Sequence, residues 1–406
     1  MLLSSKKKNL STLLAVVIIY GYAAAFAPSS SVQSSRTSFL RAVGDFEGKA
    51  FSELPYGEES RRFRRTYYEE EDWILHRSDD RFLGNMIKTF RSGIVRSLAN
   101  EISIVFAMSL LVCSYNALFV DGWQDLNGIM HDPFYIIPGI LPPLASLPTE
   151  PFSLSSPALG LLLVFRTNAS FGRWSEARNK WSAVIDHSRN IVRLGSGWIP
   201  KDMAKEQQRE LLEDLADTTW AFGRSLQRFL LGARDDDEAY THDIQQRMSP
   251  SVAGALIAAN NKPNRALFEL TKAVNAIPMT EHRHVEIDRG VEHLCDSWGG
   301  CEKLLRTPVP LVYTRHTARF LGFWILALPL GLWKSFATSW NHLGVIPAAI
   351  LIAFFFFGIE ELAVQLEEPF SILPMQRFVG NIEASVDEIV EWHFEDNVMV
   401  KCKHFR

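Results

Sequence analysis

Hydropathy divides the chain into a few long apolar runs separated by charged sequence with helical spacing. Ile102 to Val120 carries no charged residue, and its polar members Ser103, Ser109, Ser114 and Asn116 can bond within a helix or to neighbours. That run predicts a first transmembrane helix. A second apolar region, Tyr135 to Phe165, carries one charge, Glu150, and the prolines Pro138, Pro142, Pro143, Pro148, Pro151 and Pro157. Each interior proline removes a backbone hydrogen bond and clashes with the preceding turn, so this spacing predicts a broken helix. Broken helices persist at membrane depth only when buried in protein or lining a water-filled path. From Phe320 to Ile359 only Lys334 is charged, too long a stretch for one span. Pro329, Gly331 and the Lys334–His342 interval predict a tight hairpin between a third span at about 318–333 and a fourth at about 343–364, with Lys334 reaching the interface.

Four spans leave both termini and the segment 167–316 on one side. The far-side loop 121–134 holds Asp121, Asp125 and Asp132 and no Lys or Arg. The near side has Arg91 and Arg96 before the first span, Arg166, Arg173 and Arg178 after the second, and Arg315 and Arg319 before the third. This asymmetry follows the positive-inside rule. In the middle of the chain, Phe171, Trp174, Ala177, Trp181, Val184, Ile185, Ser188 and Ile191 recur at three- and four-residue spacing, one face of a helix. Pro200 and the run Asp235 to Glu238 mark breaks. No alternating pattern persists, so the expected class is all-α and membrane-embedded.

Composition narrows the function. The chain is 47% hydrophobic, yet that load is concentrated in the runs above, which suits spans plus a water-facing part rather than one soluble core. A net charge of -4 argues against a general nucleic-acid binder. Cys113, Cys295, Cys301 and Cys402 show no CxxC spacing, which disfavours a zinc ribbon or disulfide framework. GxSxG, Walker and dinucleotide-binding motifs are absent, so nothing points to an enzyme. His282, His284 and His293 lie among Glu286, Asp288 and Glu292, but without HExxH spacing they read as a solvated helix face rather than a metal site. Arg61 to Arg65, followed by Glu69 to Asp72, reads as a surface segment near lipid headgroups.

The first residues are an address. Lys6, Lys7 and Lys8 precede the apolar run Leu10 to Tyr20, and Ala23 to Ala25 offers a cleavage site, giving a signal peptide over 1–25. A Ser- and Thr-rich stretch with Arg36 and Arg41 and no acidic residue before Asp45 follows, giving a transit peptide over 26–44. The junction Ala24-Ala25-Phe26-Ala27-Pro28 resembles that of bipartite plastid presequences in diatoms and related algae.

Three blocks carry a family resemblance. The first is LLLVFRTNASFGRWSEARNKW over 161–181; the second is Cys301 to Pro310, continuing from Tyr313 to Phe320; the third is Gly358-Ile359-Glu360-Glu361 with Glu367-Glu368-Pro369-Phe370. Their order and spacing, over about 90–395, resemble the plant and bacterial bestrophin-like proteins, the branch of the thylakoid voltage-dependent chloride channels. The resemblance implies a homopentamer around a central anion pore with no cofactor. Leu154 and Ala158 would face the axis in a narrow neck, joined by Leu161 or Leu162. Glu150 would sit at the luminal mouth, with Ser153 near the same face. Arg166 and Arg173 would flank the vestibule, although arginines ending a span are equally ordinary packing chemistry. The small Ala158 implies a wider neck than in relatives with an aromatic there. Chloride, nitrate and bicarbonate are the expected passengers, and the lipid bilayer is the expected surrounding.

The implied layout is an N-terminal stromal segment 45–97, spans one and two with the neck over 98–166, and a helical stromal domain 167–317. Spans three and four follow over 318–366, then a C-terminal segment 367–406. Ser371 to Arg377 lacks the acidic cluster that clasps calcium in animal bestrophins, so calcium gating in their manner is not expected. Glu360 and Glu361 read first as a solvated helix end and second as pore or subunit contacts. Three functions remain open: a chloride channel of the thylakoid (or inner-envelope) membrane that balances charge, a bicarbonate conduit for carbon concentration, or a non-conducting pentameric scaffold.

Overall fold

The computed structural model describes residues 65–78, 93–134 and 144–402, with Arg61, 83–84 and 86–87. The presequence, Arg91 and the prolines Pro138, Pro142 and Pro143 lie outside the described residues. The helices are α1 (Glu70–His76), α2 (Gly93–Ser97), α3 (Ala99–Asn116), α4 (Glu150–Trp198), α5 (Lys205–Leu231), α6 (Asp237–Arg247), α7 (Pro250–Ala258), α8 (Lys262–Ala276), α9 (Glu281–Arg306), α10 (Leu311–Leu332), α11 (Val345–Glu367) and α12 (Met375–Cys402). Two compact units emerge, Met1–Pro157 with Phe320–Glu361, and Ala158–Arg319 with Leu362–Arg406.

In the first unit α3 runs on through a π-helical turn, Ala117–Asp121. The most apolar eighteen residues of Ala99–Asp121 have a mean hydropathy of 2.0, and those of Trp340–Glu367 one of 2.3. These are the two helices among the described residues long and apolar enough to cross a membrane. Ile104, Leu111, Leu351 and Phe355 all point outward, so these helices present apolar rather than polar side chains to their surroundings. The other expected spans fall in α4 and α10. The third was expected to begin near 318, but α10 starts at Leu311 and takes in Arg315 and Arg319, which hydropathy alone cannot include.

Side-chain pairs fix the ends of these helices and the turns beside them. The Asn116 amide donates to the Ala145 carbonyl at 2.9 Å and accepts from the Ala145 N–H at 2.8 Å. The Asn341 amide makes the same two-way exchange with the Gln124 backbone, at 2.7 and 2.8 Å. Trp333 stacks on His342 with centroids 3.8 Å apart and packs in a core with Val112, Cys113 and Val345. The expectation of no strand needs one correction. Trp123–Gln124 pairs antiparallel with Met130–His131. Two residues per strand are too few to leave a periodic signal. Gly122 enters this hairpin at φ +80°, where a Cβ would lie 2.4 Å from the His131 carbonyl oxygen.

The second unit is helical, as the periodicity predicts. Ala177, Trp181, Val184, Ile185, Ser188 and Ile191 are all buried on one face of α4, whereas Phe171, expected with them, is exposed. The predicted breaks fall at Pro200 and Asp235, and Asp236 caps α6 by accepting from the Glu238 N–H. Helix α5 packs against α8 and α12. Arg247, at the end of α6, donates to Asp217 at 2.6 Å and Glu383 at 3.0 Å and also pairs with Asp387, joining α5, α6 and α12. His293 stacks on His187 of α4, centroids 4.6 Å apart, a partner the local spacing could not reveal. Burial pushes the Cys301 thiol up to about 12, leaving it chemically inert at neutral pH.

Candidate functional site

The site follows α4, whose residues account for its start and its continuity. The proline-rich approach was expected to give a broken helix; instead α4 is continuous from Glu150 to Trp198. Pro148 precedes the helix, and Pro151 sits in the first turn, where an N–H would have no intrahelical partner. Only Pro157 is interior. It takes away the donor that would satisfy the Ser153 carbonyl, and the Ser156 hydroxyl reaches that oxygen instead at 3.4 Å.

Within the first unit, aromatic packing holds the opening turns of α4. The Trp324 indole donates to the Ser155 hydroxyl at 2.9 Å and packs edge-on to Phe152, centroids 5.6 Å apart. Phe356 of α11 lies against the same indole, at 5.5 Å. Phe152 lies so close to Gly331 of α10 that a Cβ there would come within 2.7 Å of its ring.

At 3.6 residues per turn, Leu154, Ala158, Leu161 and Phe165 fall within an arc of about 60° on α4. All four are exposed, Leu154 at 81%, Leu161 at 54% and Phe165 at 55%. The opposite arc, Leu159, Leu163, Arg166 and Ser170, is buried. Leu162 is half-buried, so Leu161 rather than Leu162 continues the exposed stripe, and the Leu162 main-chain carbonyl accepts from the Tyr313 hydroxyl at 3.1 Å. Glu150 is exposed one turn before Leu154. Ser153 is exposed too, about 100° around the helix from Leu154.

The two arginines part company with the stripe. Arg166 is only 4% exposed. Arg173 donates from Nε to the Glu367 carbonyl at 2.9 Å, from Nη1 to the Thr307 carbonyl at 2.6 Å and from Nη2 to the Leu304 carbonyl at 2.7 Å. Its guanidinium therefore closes over helix ends. Tyr313, Trp324 and Ser155 had no assigned role in the sequence. Their partners lie 151 to 169 residues away, and the sole hint was that Tyr313 falls within a family block.

Between Pro151 and Phe165, then, α4 offers an uncharged, outward apolar stripe with an acidic residue at one end. Such a surface cannot coordinate a metal or activate a nucleophile. It can line a constriction or pack on another copy.

A family model described as bacterial/fungal bestrophin protein matches residues 72–388. The chain is 28% identical over 360 residues to voltage-dependent chloride channel 1, chloroplastic, of Arabidopsis thaliana, covering 87% of this chain and 78% of that one. It is also 28% identical to a voltage-dependent anion channel-forming protein of Nostoc sp., over 58% of this chain and 76% of the relative. Among solved structures, a bacterial bestrophin homologue from Klebsiella pneumoniae aligns with a TM-score of 0.58 at 24% identity, covering 72% of this chain and 98% of that one. The helical order, the three blocks and the family match agree: the chain belongs to the bestrophin family.

Proposed function

We propose that this chain is a passive anion channel of a plastid membrane, the thylakoid of a complex plastid, where chloride flow balances the charge of proton pumping. Five copies surround a common axis with four spans each, and the α4 stripe of each copy faces that axis. Leu154, Ala158 and Leu161 form the neck, with Leu162 turned to the side. Glu150 and Ser153 stand at the luminal mouth. Arg166 and Arg173 brace the stromal end, below which the segment 167–317 forms the vestibule.

The observation that carries this reading is the stripe itself. Leucine and phenylalanine side chains more than half exposed along one face of a helix need either a partner or a narrow, weakly hydrated passage. An apolar constriction passes weakly hydrated anions more readily than strongly hydrated ones and can gate by dewetting. The chloroplast relative named a voltage-dependent chloride channel supports the choice of anion and compartment. Bicarbonate supply to the lumen is the second reading, favoured by the exposed, small Ala158 in the stripe.

Recording from the purified protein in planar bilayers under asymmetric KCl tests both. A reversal potential near that of chloride is expected, moving little when bicarbonate replaces chloride on one side. A large shift would confine the channel to chloride-like ions, and the lack of any current would favour a scaffold.

A further inference from the structure

The three carbonyls held by Arg173 belong to two helix ends in the second unit. Leu304 and Thr307 are the last turn and C-cap of α9, and Glu367 is the last residue of α11. A helix carboxy end carries roughly half an elementary negative charge, so the two together present about one, which a single guanidinium matches. Arg234 also reaches this region, but it pairs with the Glu368 carboxylate just past the end of α11. Lys303 and Arg306, in the last turn of α9, pair with Glu176 at 2.9 Å and Glu302 at 2.8 Å. Helix α11 has no basic residue in its last turn. The Glu367 carboxylate accepts from the Val309 N–H at 3.2 Å and so adds a full negative charge to the same place.

Arg173 lies on α4 about 22 Å beyond Ala158 and about 60° around the helix, so this charge group flanks the line of the exposed stripe. Unneutralised carbonyl ends there would repel an anion approaching or leaving the neck.

We infer that Arg173 is a positioning residue for anion selectivity, removing the negative ends of α9 and α11 from the flank of the anion path; this rests on the channel reading above. The test is bilayer recording of wild type, Arg173→Gln, Arg173→Lys and Glu367→Gln under a KCl gradient. Arg173→Gln lowers the chloride-over-potassium permeability ratio by roughly fivefold, the scale of two helix ends left uncompensated. Arg173→Lys, which keeps the charge but not the planar fork, stays within about twofold of wild type. Glu367→Gln keeps an amide oxygen for the Val309 N–H while losing its charge, and raises the ratio.

A brace without an electrostatic role would lower stability in both Arg173 variants and leave the ratio alone. An unchanged ratio in Arg173→Gln, or equal shifts in Gln and Lys, overturns the inference while the channel reading stands. Should Arg173→Gln not assemble, an unchanged ratio in Glu367→Gln overturns it instead. A silent wild type overturns both readings.

Discussion

At the scale of single residues, Ala158 sets the width of the proposed neck. It is the smallest of the four side chains on the exposed face of α4, between Leu154 and Leu161. Replacing it with a ring in every copy narrows the passage at one level, and the larger, more strongly hydrated anion loses most. Ala158→Phe therefore lowers the bicarbonate-to-chloride permeability ratio, read from reversal potentials in bilayers; an unchanged ratio places the constriction elsewhere. The position of this face was legible in the sequence, because spacing along one helix fixes which residues share a side. The choice between Leu161 and Leu162 was not. It turns on how the rest of the fold covers the helix, which leaves Leu161 exposed and Leu162 half-buried. Arg173 was ambiguous for the same reason, since its three carbonyl partners lie 131 to 194 residues distant.

At the scale of elements, the clasp joining α5, α6 and α12 concentrates three carboxylates on one cation. Burial raises the Asp217 carboxyl above its ordinary value of 3.8, and Asp387 and Asp214 push it the same way, while Arg247 opposes them. A carboxyl raised in the folded state binds its proton more readily there than in the unfolded chain. Its contribution is therefore greatest below the ordinary value and is lost as pH rises through the folded one. Asp217→Asn keeps an oxygen for the Arg247 N–H and removes the charge. It raises the melting temperature at pH 8 by about 1–2 °C, a small shift because the large unfolding entropy of a long chain dilutes any local gain. The gain closes as pH falls towards 4. Circular dichroism melts in detergent at the two pH values measure it, and a gain that grows on acidification would contradict the assignment.

Element boundaries show what hydropathy can read. The runs expected as first and fourth spans, 102–120 and about 343–364, fall in the helices Ala99–Asp121 and Trp340–Glu367. Helix α10 begins seven residues early, since its first three turns carry Arg315 and Arg319. The break expected in α4 does not occur. Most of the prolines lie before the helix or in its first turn, and a serine hydroxyl reaches the carbonyl freed by Pro157.

At the scale of the whole molecule, the proposed function requires that anions pass along the exposed face of α4. Family membership and helical order were legible because the three blocks combine motif, spacing and hydropathy. The assembly was legible only through the family resemblance, because the pattern of one chain does not show what faces an exposed apolar stripe. The most direct test places a cysteine on each side of the helix. In a background with Cys295 and Cys402 replaced by serine, Ala158→Cys and Leu161→Cys are compared with Leu159→Cys, whose position is buried on the opposite arc. An anionic thiol reagent added during bilayer recording should block current through the first two and leave the third unaffected. Current that persists through modified Ala158→Cys and Leu161→Cys channels would contradict the claim.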